Sequence, residues 1–136
     1  MRNKINTGLA LFIACAVTSY SYADQLIINI TGAGANQGKI HIAVFNQAKE
    51  FPGGTPIKLI RQAANIKSHK LELPKGNYAI AAFQDENNNQ KLDLNFFKIP
   101  KEKTGTSGKR SFGKPKFSNA VFKLSKQNQQ VSVHLK

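Results

Sequence analysis

The chain has 136 residues, of which 20 are Lys or Arg and 7 are Asp or Glu, for a formal net charge of +13. One cysteine excludes an intramolecular disulfide framework, and 40% hydrophobic content over this length suffices for the core of one domain. A charge excess of this size draws polyanions.

The chain opens MRNKINTGLALFIACAVTSYSYADQ. Arg2 and Lys4 precede an apolar run, Gly8 to Val17, that is too short to span a bilayer. Ser21-Tyr22-Ala23 then offers small residues at the spacing of a cleavage site. The expected organisation is a signal peptide over 1–23 and one domain over 24–136, periplasmic or secreted, with no transmembrane segment after cleavage. Leu11-Phe12-Ile13-Ala14-Cys15 is an imperfect lipoprotein box, and lipidation of Cys15 is the alternative processing. Cleavage after Ala23 removes the only thiol, and with it thiolate nucleophiles and cysteine metal ligands. It also removes Arg2 and Lys4, leaving 18 cationic residues against 7 acids, a net +11.

From Asp24 onward the sequence reads as short strands between turns. Leu26, Ile28 and Ile30 alternate with Ile27, Asn29 and Thr31, a period of two that marks a half-buried strand. The run GAGANQG follows as a glycine-rich turn. Its third glycine is replaced by Gln37 and a strand follows it, so it is no dinucleotide fingerprint. Ile40, Ile42 and Val44 alternate with Lys39, His41 and Ala43. Asn46 to Phe51 can form one helical turn before Pro52-Gly53-Gly54. Further strands are expected at Ile57–Gln62, His69–Leu73, Asn77–Gln84, Ala120–Ser125 and Val131–Leu135. Pro74 and Gly76 turn the chain into the strand that carries Tyr78 inward beside Ile80. Residues 98–118, rich in Gly, Ser, Thr, Lys and Pro, read as one long loop, a length that is often functional. The fold class is all-β: a single antiparallel β-sandwich of about seven strands with one long basic loop.

The acids gather in FQDENNNQKLD, residues 83–93. Asp85, Asn87, Asn89 and Asp93 stand at positions 1, 3, 5 and 9 of an EF-hand-like loop, with the backbone carbonyl of Lys91 at position 7. Hard oxygen donors at this spacing suit calcium. Gln90 replaces the glycine of position 6, and Phe96 replaces the glutamate of position 12. Glu102 is a further acid within reach. The competing reading is a turn in which Asn and Asp side chains bond their own backbone. His41, His69 and His134 lie on expected strands and read as surface histidines. No nucleophile elbow is present, and a carboxylate acid or base at Asp85, Asp93 or Glu102 is the residual enzymatic reading.

Three segments carry a resemblance: GKIHIAVFN followed by Phe-Pro, LPKGNYAIAAFQDENNNQKLDLNFFKIPKE, and FGKPKFSNAVFKL. Together they resemble domain of unknown function 2141, a family of small exported bacterial proteins. The resemblance implies an exported sandwich of immunoglobulin or prealbumin type and implies no catalytic activity. Two places depart from the family pattern. Gln90 stands where glycine follows the last Asn, and Lys98-Ile99-Pro100-Lys101-Glu102-Lys103-Thr104-Gly105 replaces Gly-Ile-Pro-x-Glu-Gly-x-Gly.

The functional expectation is a monomeric, non-enzymatic binding or accessory module without a certain cofactor. Its anion-binding candidates are Lys98, Lys101, Lys103, Lys109, Arg110, Lys114 and Lys116. The partner classes that suit an exported cationic chain are anionic lipid, lipopolysaccharide or acidic polysaccharide, rather than nucleic acid. The alternative is a domain stabilised by calcium at the Asp85–Asp93 loop.

Overall fold

The structure is a computed structural model that describes residues 23–34 and 37–136. The leader expected over 1–23 therefore lies outside the described residues, apart from Ala23. No helix among the described residues is long and apolar enough to cross a membrane.

Among the described residues, eight strands form two sheets. They are β1 (Asp24–Thr31), β2 (Lys39–Phe45), β3 (Lys58–Ala63), β4 (Ser68–Leu73), β5 (Gly76–Asp85), β6 (Thr104–Thr106), β7 (Phe122–Leu124) and β8 (Gln129–His134). One sheet has the order β4-β1-β8, and the other runs β3-β2-β5 with β6 and β7 both on the far edge of β5. Their inner faces meet in one core, where Leu26, Ile28 and Ile30 pack with Ile40, Ile42, Val44 and Ile80. These side chains are essentially inaccessible to water. Each stabilises the sandwich by about 1.5–3 kcal/mol relative to exposure. Tyr78 joins this core, its hydroxyl donating to the Pro74 carbonyl at 2.7 Å, and burial raises its pKa. The β-sandwich expectation holds. One pair departs from a wholly antiparallel scheme: β1 and β8 run parallel, with Leu26 opposite Gln129 and Thr31 opposite His134.

The outer face of the larger sheet is also covered. Phe45, Phe51, Ala79 and Ala120 form a second, smaller core there, edged by Phe117. Phe51 comes from the Asn46–Phe51 stretch, where a helical turn was expected. The chain there makes turns, with the Phe51 N–H donating to the Ala48 carbonyl at 3.3 Å. Pro52 disfavours helical backbone at Phe51 and has no N–H to continue a helical ladder. Ala120 comes from a single helical turn, α1 (Phe117–Ala120), that the sequence did not signal.

The expected single loop over 98–118 is divided by β6 and ends in α1. β6 pairs with Ala81–Phe83 of β5. It also touches the other sheet. Thr104 and Lys136 exchange two backbone hydrogen bonds, at 3.2 and 3.1 Å, and so lace the two sheets together. Gly105 permits this approach, since a Cβ there would fall on the His134 carbonyl oxygen. Ser107 is the next joint. Its buried hydroxyl accepts from the Ile80 N–H at 2.8 Å and donates to the Ala120 carbonyl at 2.6 Å. One hydroxyl thus ties the edge of β5 to α1.

Candidate functional site

β5 runs out of the sandwich into the acidic loop, and its alternation decides which way each side chain points. Gln84 faces inward. Its amide accepts from the Gly34 N–H at 2.7 Å and donates to the Gln37 carbonyl at 2.8 Å, pinning the glycine-rich turn. Asp85 faces the outer side and is fully buried. Its Oδ1 accepts from the Asn89 N–H at 3.1 Å and its Oδ2 from the Gln90 N–H at 2.8 Å. The chain is wound round this carboxylate. The winding needs left-handed backbone at Asn88 (φ 58°) and at Gln90 (φ 64°). Gln90 therefore takes the conformation for which the EF-hand loop uses glycine, at some cost in strain.

Glu102 closes the loop from sixteen residues away. Its two carboxylate oxygens accept from the Glu86 and Asp93 N–H groups, each at 3.1 Å. Asn87 and Asn89 donate their side-chain amides to Asp93 at 2.6 and 2.9 Å. Their own carbonyl oxygens accept from the N–H groups of Asn89 and Lys91, at 3.1 and 2.9 Å. Asn87, Asn89 and Asp93 are thus brought into mutual contact. Asp85 lies beneath them, and Lys91 enters through its N–H. Among the described residues no group of three or more His, Cys, Asp or Glu side chains is arranged to hold a metal ion. A cleft of about 590 Å³ borders the loop, lined by Glu86, Asn87, Asp93, Lys101, Glu102 and the Gln37-Gly38 turn.

His41 is a correction. Strand parity put it on the outer face of β2, and it was expected at the surface, but it is only 3% exposed. Phe83 stacks on it at 4.7 Å, and its Nε2 lies 3.3 Å from Asp85 Oδ2 without aligning as a hydrogen bond. Burial holds the imidazole below its ordinary pKa, the Asp85 charge opposes this, and Arg61 adds to the lowering. His69 is half-buried, and His134 is exposed with its Nδ1 2.9 Å from the Thr31 hydroxyl.

β6 separates the cationic candidates into two sets. Lys98, Lys101 and Lys103 precede it; Lys109, Arg110, Lys114 and Lys116 follow it. Lys98 and Lys101 are exposed, whereas Lys103 is half-buried and donates to the Gly32 carbonyl at 3.1 Å. The second set is exposed throughout and surrounds the fully exposed Phe112.

Between the acidic loop and β6 lies a feature that sequence reasoning missed. Leu94 and Pro100 form an isolated antiparallel bridge, and residues 94–100 fold into a tight turn. Asn95 holds it together. Its backbone N–H donates to Ile99 and its carbonyl accepts from Lys98, while its side-chain oxygen accepts from the Phe97 and Ile99 N–H groups, each at 2.9 Å. Phe96 and Phe97 project from this turn, 94% and 77% exposed, with their rings edge to face at 5.6 Å. The available signal was two adjacent phenylalanines outside any alternating run, bracketed by Lys91 and Lys98.

Comparison with known proteins gives one match. The model of a family described as an uncharacterized protein conserved in bacteria (DUF2141) covers residues 28–132. No curated protein and no solved structure matches the chain.

Proposed function

The chain belongs to the DUF2141 family, and from that premise we propose that it is an exported, non-enzymatic binding module acting on anionic components of the cell envelope. The observation that carries this reading is an imbalance in how the charges are used. Asp85 and Glu102 spend their oxygens on the chain's own N–H groups. Among the described residues no lysine or arginine is within ion-pair distance of a carboxylate, and the one basic side chain that is, His41, is the buried imidazole beside Asp85. The cations keep their field for a partner. Carboxylates engaged in this way also have little freedom to serve as a catalytic acid or base.

The purified protein should sediment with vesicles containing phosphatidylglycerol and should ignore vesicles of phosphatidylcholine alone. Binding should fall about tenfold or more between 0.1 and 1 M salt, as the Debye length contracts from about 10 to about 3 Å. Absence of binding at low salt would leave the charge with a role in solubility only. Lipopolysaccharide and an acidic polysaccharide, tested alongside, distinguish lipid from sugar as the target.

A second reading is calcium at the Asp85–Asp93 loop. It is favoured by one observation: Gln90 already holds the left-handed backbone of the glycine position while Asn87, Asn89 and Asp93 converge. On this reading, calcium at about ten times a millimolar Kd adds about 1.4 kcal/mol and raises the melting temperature by several degrees. Asp93→Asn should remove the increment. An unchanged melt in calcium would leave these side chains as turn formers.

A further inference from the structure

We infer that the turn at residues 94–100 is a membrane-insertion tip, with Phe96 and Phe97 entering the acyl layer of an anionic bilayer while Lys91, Lys98 and Lys101 meet its headgroups. The inference rests on the anionic-envelope reading above and goes beyond it, since charge attraction alone needs no insertion.

Two phenylalanines side by side on a loop tip expose apolar surface that a chain ordinarily hides or breaks up. Here Leu92, Leu94 and Ile99 extend that surface, at 37%, 46% and 57% exposure. A floppy loop could fold such residues back. This one cannot do so cheaply, because four hydrogen bonds to Asn95 fix the turn with the rings outward. The backbone that carries the rings is pre-ordered, so an insertion that uses them pays little further backbone entropy.

The choice of occupant follows from charge and shape. Lys91, Lys98 and Lys101 are exposed around the tip. Asp93, the acid within the same stretch, is occupied by the amides of Asn87 and Asn89. An apolar tip with a cationic collar matches an anionic interface, where affinity grows with the apolar area buried and with headgroup attraction. A protein partner would need a cavity shaped to two projecting rings, whereas a bilayer needs none.

The chain contains no tryptophan, so one substitution makes a clean reporter. Phe96→Trp should show blue-shifted emission on adding phosphatidylglycerol vesicles, and acyl-chain bromines should quench it. The double variant F96S/F97S should keep the wild-type melting temperature, because both rings are exposed. It should bind those vesicles about tenfold or more weakly at fixed salt. Vesicle binding with unmoved Phe96→Trp emission and unchanged F96S/F97S affinity would overturn insertion and leave the electrostatic reading standing. No binding by the wild-type protein would overturn both. An equal blue shift with a soluble acidic polysaccharide would also overturn insertion, since that ligand has no acyl layer. A dimer in solution that F96S/F97S dissolves would assign the rings to a second copy of the chain instead.

Discussion

Gly105→Val should lower the melting temperature by roughly 10 °C or more. The cause is local and geometric. Even the first carbon of a side chain at Gly105 would sit on the His134 carbonyl oxygen, 2.8 Å from its carbon and 3.0 Å from Val133 Cγ1. Neither neighbour is the free end of a flexible group. Val133 is buried in the core, and β8 is held in register by β1. The strain must therefore be relieved by moving β6 away, which breaks the Thr104–Lys136 exchange between the sheets. A cost of about 3 kcal/mol or more follows from overpacking against backbone. Gly53→Ala is the matched control, because nothing lies within 4 Å of a Cβ there. Equal melting temperatures for Gly105→Val and Gly53→Ala would show that the sheets do not depend on this contact.

Asp85→Ala should cost about 3 kcal/mol and melt the acidic loop selectively. Hydrogen bonds to an ionised acceptor are each worth about 1.5–3 kcal/mol, and Asp85 receives two from the backbone. The donors belong to exposed residues, so water recovers part of the loss, while the space left beside His41 and Phe83 adds to it. Asp85→Asn keeps one acceptor oxygen and should lose about half as much. Hydrogen exchange provides the site-specific readout: the Asn89 and Gln90 amides should become unprotected in Asp85→Ala and stay slower in Asp85→Asn. A loss below about 1 kcal/mol for the alanine variant would mean that the loop is held by Glu102 alone.

The strands that were legible in the sequence are those with one face in the core. β1 shows its buried residues at every second position, and β2, β5 and β8 carry Ile40, Ile80 and Val133 in the same phase. β6 was illegible for a physical reason. Thr104, Gly105 and Thr106 are all half-buried, so no alternation exists to be read, and the strand is specified by partners at Phe83 and Lys136. α1 is four residues long and likewise draws its stability from covering Phe51 and Phe45 rather than from a pattern of its own.

The site was legible in part. The spacing of Asp85, Asn87, Asn89 and Asp93 did announce a wound loop, because that spacing reports how a chain coils. It did not announce what the coil closes upon. Asp85 binds the N–H groups four and five residues ahead, and Glu102 reaches back to Glu86 and Asp93. The burial of His41 was hidden for the same reason. The cover over the outer face of β2 comes from Phe83 and the loop after β5, more than forty positions along the chain.

The parallel pairing of β1 with β8 also orders events in time. The larger sheet begins from β2 and β3, which are consecutive in sequence, and from β5, which follows after β4, so it can assemble early. The smaller sheet joins the first strand to the last, with hydrogen-bonded side chains such as Asn29 and Gln130 separated by 101 residues. Closing so long a loop is entropically costly, so contacts of this kind slow folding and come late in it. Until Gln129–His134 arrives, β1 has an open edge and half of its partners missing. A nascent chain of this design therefore holds a half-made smaller sheet beside a larger one until β8 has been synthesised, and only then can the sandwich close.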